Sequence, residues 1–322
     1  MTYNQTKARA QAQTLNKHSG LSALTTALAL TLTPILTFFL AEEISVSVKN
    51  ALMLCASVII PSVFPFIILS DFLYRFIDFG SMRKLGELFE KLFKINRAGL
   101  YPFTLGLLCG FPLGVKCASE LYNDGRISKD ECERLIGFCN NTGPAFLVCG
   151  IGLGLRKNIY DGLALYVATV LSAVLVGMIF SVGKASSVSD CRKYTDASFS
   201  VTRSVRNAGM GCLNICSYLT FFACITGIIK SILGEGLVYF LIIPFLEVGT
   251  ATDILSKTAL LGSVGSLALS AFAVGFSGFS VHLQALSFLS ETDVKVGRYF
   301  TMKLLQGILA AAAVSVLYYL YH

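Results

Sequence analysis

Four short segments interrupt otherwise apolar stretches, and the residues able to do chemistry collect at them. They are GFPLG at 110–114, NNTGP at 140–144, EVGT at 247–250 and GFSGFS at 275–280. A helix broken at membrane depth exposes bare N–H and C=O groups and the ends of two half-helix dipoles. That is chemistry for holding a polar solute or an ion. Asn140, Asn141 and Thr142 add amide and hydroxyl groups beside the freed backbone; the alternative is that they only cap the two half-helices. Glu247 is the sharpest candidate. A charged side chain at the bilayer centre costs roughly 2.5–3.5 kcal/mol on insertion scales, so a carboxylate there is read as a ligand for substrate hydroxyls, a cation or a proton. Its alternative is a place at the outer interface. Thr250, Thr252, Ser277 and Ser280 supply hydroxyls that helix packing would equally use. His282, followed by Gln284, can titrate near neutral pH or serve as a hydrogen-bonded packing residue. Gly110, Pro112, Gly114, Gly143, Pro144, Gly249, Gly275 and Gly278 are the tip and break residues that let the backbone turn.

Other chemistries fit poorly. Gly275-Phe276-Ser277-Gly278 spells the GxSG of rhomboid intramembrane proteases, which need a histidine on a separate, later helix. His282 is too close to Ser277, and His322 is the last residue. HExxH, P-loop and aspartate-rich diphosphate motifs are missing, so no enzyme is expected. The ten cysteines form no CxxC and sit mostly in apolar runs, and the three histidines are scattered. Neither a disulfide framework, a metal site nor a cofactor is expected. Lys116 with Glu120, and Asp253 with Lys257, are i,i+4 pairs just past two of the interruptions, read mainly as structural ion pairs.

The elements that must position these residues follow from composition. The chain has 322 residues, 54% of them hydrophobic and 14% charged. A soluble domain carries about 25% charge, so this chain lacks the polar surface to coat a globule in water. The fold class is an all-α polytopic membrane protein, with the lipid bilayer as its first partner. A net charge of +7 would raise nucleic acid in a soluble protein; here no basic run is interleaved with aromatics, and basic loops set topology instead.

Residues 1–20 read as a polar cytoplasmic tail. An uncleaved first transmembrane helix over 21–41 follows, too long for a signal-peptide core. An apolar run over 51–70 is interrupted by Pro61 and Pro65. Residues 81–97 have Leu85, Leu88, Phe89, Leu92 and Phe93 at helical spacing against charged residues, which predicts an amphipathic helix at the membrane surface. Residues 98–123 are apolar but broken at 110–114, and each flank is too short to span about 30 Å at roughly 1.5 Å per residue. They read as a re-entrant hairpin. Ser128 and Glu131 form a capping box that opens a broken crossing helix over 127–155. A full span over 158–182 and a cytoplasmic linker over 183–204 follow. The plan then repeats: a span over 207–232, an interrupted hairpin over 236–256, a broken crossing over 258–290 and a last span over 299–320.

The two halves, 48–182 and 205–320, also echo in sequence: VKNALMLC at 48–55 matches VRNAGMGC at 205–212 in five of eight positions. With the N-terminus in the cytoplasm, 21 Lys and Arg fall on the cytoplasmic side, including Lys303, and five outside: Lys49, Arg156, Lys157, Lys230 and Lys257. That bias satisfies the positive-inside rule and starts the two repeats on opposite sides. An inverted repeat of this kind is common in secondary transporters, with the substrate site where broken helices meet near the midplane.

The segments GFPLGVKCASELYNDGRISKDECERLIGFCNNTGP (110–144) and GFSGFSVHLQALSF (275–288) resemble the sporulation integral membrane proteins of the YlbJ type. These lie in the nucleoside-recognition Gate-domain group, which is similar to part of the concentrative nucleoside transporters. The resemblance covers about residues 45–305. It implies a multi-pass cell-membrane protein of an endospore-forming Firmicute, needed for mature spores. It matches Glu247 to the acidic residue that holds ribose in the transporters, and Phe279-Ser280 to part of an Asn-Phe-Ser type segment. Where the transporters carry a Gln-Thr-Glu-Ala-Pro type tip on the base, this chain reads Gly110-Phe111-Pro112-Leu113-Gly114. Gly278 stands where they have the Asn. The expected function is a permease or transporter of a small polar solute, with a nucleoside-like one among the candidates. A cation or proton would bind at Glu247, and the protein would act alone or as a homo-oligomer. The alternative is a non-transporting membrane component that supports assembly of a spore envelope or channel complex.

Overall fold

A computed structural model of the protein describes residues 38–76, 83–186 and 200–321. The expected tail 1–20, nearly all of the first span 21–41 and most of the linker 183–204 lie outside these residues. The chain divides into two units, Met1–Val46 and Ser47–His322.

Every element among the described residues is helical. Helix α1 (Ala41–Leu54) runs through a wide π-type segment, Cys55–Ile59, into α2 (Ile60–Phe76). The helix passes Pro61, at the start of α2, and Pro65, within it, without stopping. Helix α3 is Arg83–Phe93. The first expected hairpin is present as α4 (Leu100–Leu108) and α5 (Leu113–Asn123). The first broken helix is α6 (Lys129–Cys139), the interruption at 140–144, and a π-helix, Ala145–Leu155. Ser128 and Glu131 close the expected capping box at its start. Helix α7 (Ile159–Ile179) follows. The second half holds α8 (Val201–Leu233), the hairpin α9 (Leu237–Leu246) and α10 (Val248–Lys257), the broken helix α11 (Gly262–Phe276) and α12 (Gly278–Leu289), and α13 (Gly297–Tyr321). The order of long helix, hairpin, broken helix and long helix thus occurs twice.

Several boundaries differ from expectation, two of them with a local cause. Helix α8 starts at Val201, inside the expected linker, because Ser200 caps it by accepting the Arg203 N–H. The break in the second broken helix is a single residue, Ser277, held in the left-handed region at φ +79°.

The packing is that of a membrane protein. Among the described residues, four helices are long and apolar enough to cross a bilayer: Ile159–Ile179, Val201–Leu233, Gly262–Leu289 and Gly297–Tyr321. On α7, Ile159, Leu163, Val167, Leu171, Leu175 and Met178 are exposed, while Leu165, Ala168, Ser172 and Val176 on the other face are buried. In water such an exposed row would drive aggregation; against acyl chains it costs nothing. Small residues let backbones meet inside. A Cβ on Gly275 would lie 2.9 Å from the Gln306 carbonyl and 2.9 Å from Gly307 Cα, so α11 and α13 touch along their main chains.

Helix α3 departs from the expected single apolar face. Phe89 and Phe93 turn into the protein, where Phe93 stacks on Phe138 at 4.8 Å, while Leu85, Leu88 and Leu92 stay exposed. The reason is Arg134 of α6, which is fully buried. Its guanidinium donates to the Phe93 and Lys94 carbonyls, each at 2.7 Å, and to Asp130 at 3.0 Å. It satisfies the orphan carbonyls at the end of α3 and fastens that helix to the core. Asp130 in turn accepts from Arg298 at 2.9 Å, tying α6 to the start of α13. Arg134→Met keeps the volume and removes these bonds. The Lys94 carbonyl loses its donor and the Phe93 carbonyl keeps only Ser181, at a cost of about 1–3 kcal/mol, while Asp130 stays paired with Arg298. We expect Arg134→Met to lower the unfolding temperature in detergent by several degrees, whereas Arg203→Met, exposed on the first turn of α8, leaves it within a degree or so of wild type.

Candidate functional site

Each hairpin tip is built onto its own broken helix. The Gly110 Cα lies so close to Gly143 that a Cβ there would be 2.9 Å from the Gly143 nitrogen. The Gly278 Cα sits against the Leu246 carbonyl and the Glu247 nitrogen, at 3.1 and 3.3 Å from an added Cβ. Both Gly110 (φ +89°) and Gly278 (φ +60°) also hold left-handed backbone. The four interruptions then meet in one apolar cluster containing Leu147, Val248, Val274 and Val281, with Phe111 packed on it. The convergence expected from sequence is present, although the polar side chains divide into two groups.

The first group faces a cavity of about 560 Å³. Glu247 and Thr250 line it, with Gly249 and Asp253 from the same hairpin. Phe146 and Gly150 of the π-helix, Tyr239, Thr226 and Lys230 complete much of the wall. Glu247 is 5% exposed and stands in extended backbone between α9 and α10. Its carboxylate caps α10, accepting the Gly249 N–H at 2.9 Å and the Thr250 N–H at 2.5 Å. The positive end of the α10 dipole therefore stabilises the anion. A carboxylate has about four lone-pair sites, so two remain for a ligand in the cavity. Both expected ion pairs are formed: Lys257 with Asp253 at 2.7 Å beside this cavity, and Lys116 with Glu120 at 2.9 Å past the other tip.

The second group is packed in the interior. Asn140 and Asn141 are fully buried and Thr142 nearly so. Asn141 donates to the Phe138 carbonyl at 2.7 Å and accepts from Gln306 Nε2 at 2.7 Å. Asn140 Nδ2 donates to the Tyr299 hydroxyl at 3.3 Å, and that hydroxyl meets His282 Nδ1 at 2.8 Å. Lys303 Nζ donates to the Asn140 carbonyl at 2.8 Å and to Gln306 Oε1 at 2.7 Å. Asn140 Oδ1, Thr142 Oγ1, His282 Nε2 and Gln284 Oε1 are buried without a partner. Ser280 accepts from Gln284 at 3.3 Å, and Ser277 donates back to the Val274 carbonyl at 3.3 Å. None of these side chains lines the cavity.

Lys303, Gln306 and Tyr299 were missed by the reading of sequence, and Lys303 was misplaced. It counts among the cytoplasmic charges there, yet it is fully buried within α13 and is no topology signal. The charge bias survives its loss. The available sign was a lysine and a glutamine three apart inside an apolar helix. At the cytoplasmic end expected from the charges, Asp293 accepts from Tyr122 at 2.5 Å and Lys129 at 2.7 Å. The Lys129 ammonium and the Tyr122 hydroxyl hold its carboxyl below the usual range.

Comparison with known proteins bears out the resemblance carried by the motifs. The chain is 29% identical over 315 residues to the sporulation integral membrane protein YlbJ of Bacillus subtilis (strain 168), across 84% of this chain and 76% of that one. No family model and no solved structure matches it.

Proposed function

We propose that this chain is a multi-pass protein of the cell membrane that moves a small polar solute across the bilayer during spore formation. Its fold is read as two inverted Gate-like repeats with a cytoplasmic N-terminus. The observation that carries the reading is Glu247: a capped, buried carboxylate at a hairpin tip, facing a cavity of about 560 Å³. That volume lies within the roughly 300–1,000 Å³ of small-molecule sites. Lys230 and Lys257 line the same cavity and fall on the outer side in the charge-based topology, so the cavity opens outward. The interior network around Asn140 and Lys303 closes the path on the cytoplasmic side. Alternating access would exchange these two conditions by rocking one repeat against the other.

The solute enters with a hydroxyl on Glu247 and a flat or apolar part beside Phe146. A nucleoside has both features. The YlbJ likeness supplies the setting, since that relative is a sporulation membrane protein.

The test is uptake by vesicles containing the purified protein, with a panel of nucleosides, bases and dicarboxylates. Saturable entry of one class supports the reading. No entry of any, together with a stable partner in detergent pull-downs, would replace it with the assembly role. Asn141→Ala separates the interior network from the cavity. It leaves Gln306 Nε2 without its acceptor, at a cost of about 1–3 kcal/mol, and removes one of the bonds that tie the interruption to α13. We expect normal protein levels and a spore yield near that of the deletion strain. A wild-type yield would remove the 140–144 interruption from the working parts.

A further inference from the structure

Lys303 is the most unusual charge in the molecule. It lies about 9 Å into α13, at roughly 1.5 Å per residue from Gly297. It is fully buried, both of its hydrogen-bond acceptors are neutral, and no ion pair reaches it among the described residues. A buried ammonium without a carboxylate is costly unless something else answers its charge. Here the answer is the end of a helix. The Asn140 carbonyl that accepts from Lys303 Nζ caps the C-terminus of α6, where the dipole is negative and carbonyls lack helical partners. Half-helix C-termini beside unwound backbone are where secondary transporters coordinate their coupling cations. The same interruption holds two more unpartnered buried oxygens, Asn140 Oδ1 and Thr142 Oγ1. Oxygens gathered on a helix C-terminus suit a cation, and the chain has supplied one of its own.

We propose that the Lys303 ammonium is the resident cation of the 140–144 interruption, so that the ion bound there is a proton carried by this side chain and not a free metal cation. Proton loss leaves a neutral amine that no longer answers the α6 dipole, and the hold of α13 on the interruption weakens. The titratable groups around it are few. Cys139 of α6 and His282 of α12, through Tyr299, are within electrostatic reach. Helix α11 has no titratable side chain, and α7 has only Tyr160, Asp161 and Tyr166, with Asp161 paired to Arg156. The proposal names the coupling ion of the transport reading and in that part rests on it.

Full-length protein in detergent gives the first test, by unfolding temperature in sodium chloride against choline chloride at equal ionic strength. Wild type and Lys303→Arg unfold alike in both salts. Lys303→Gln loses the cation and adds an oxygen; it unfolds several degrees lower in choline and recovers with rising sodium. Sodium-dependent stability in wild type or Lys303→Arg overturns the assignment, as does a folded Lys303→Gln that is indifferent to sodium. Should Lys303→Gln not fold, the first two proteins still decide. The second test is solute entry into vesicles under an imposed pH gradient. Wild type responds to the gradient, and Lys303→Arg, permanently charged, does not; an equal response in both overturns the proton role. Absence of all flux with the salt pattern intact would sink transport and leave the resident cation standing.

Discussion

Glu247→Gln will leave the protein in the membrane at normal abundance and take its function away. The substitution is nearly isosteric. Its remaining Oε1 can still accept from Gly249 or Thr250, so one of the two bonds of the α10 cap survives. A side-chain cap is worth about 0.5–2 kcal/mol, and only part of that is at risk. What disappears is the negative charge in the cavity and one of its two acceptor oxygens. If the carboxylate receives a solute hydroxyl or a proton, function falls to the level of the deletion strain. Spore yield, with membrane abundance measured by immunoblot, checks this. Normal yield would demote Glu247 to a capping residue. Glu247→Ala is the informative partner: it exposes two buried N–H groups, so it should lose stability as well as function. A variant that loses stability alone would point to the same demotion.

The second large effect concerns a glycine that does no chemistry. Gly114→Ala should prevent stable folding. A Cβ at this position falls well inside contact distance of the Cys139 carbonyl, and one on Gly106 meets the same oxygen. The two limbs of the first hairpin therefore straddle the end of α6, close to the carbonyl that leads into the 140–144 interruption. Neither backbone can retreat, because Leu113 and Cys139 are themselves fully packed. Overpacking a tight core costs about 1–3 kcal/mol and more where only backbone can move. We expect Gly114→Ala to fall at or beyond the upper end, seen as poor accumulation and a collapsed unfolding transition. Gly209→Ala on α8, where a Cβ meets nothing within 4 Å, is the control and should be neutral or slightly stabilising. Equal behaviour of the two variants would mean that the first hairpin is not seated on α6.

How much of this was legible depended on range. The capping box at Ser128 and Glu131, the limbs of both hairpins and the i,i+4 ion pairs are local: each is set by residues within a few positions of one another, and each is in the structure. Glu247 stood out because a carboxylate inside an apolar run carries its cost wherever it lands. The site nevertheless splits. Thr250 stays with Glu247 on the cavity, while Ser277, Ser280 and His282 turn into the packed interior. Spacing placed all of these at interruptions, but it could not say which way an interruption faces. The amphipathic face of 81–97 parted for the same reason: Arg134, some forty residues on, pulls Phe93 inward and leaves Leu85 outside.

The amino-acid order alone determined a helical membrane chain, its interruptions and its repeated plan, because hydropathy, helix period and glycine-proline breaks act over a few residues. Only the tertiary structure decided that Lys303 is a buried partner of the 140–144 interruption and no loop charge, and that Glu247 looks onto a cavity. Burial and charge compensation are sums over neighbours distant in sequence: Lys303 meets the Asn140 carbonyl across 163 positions, and no local pattern records that meeting.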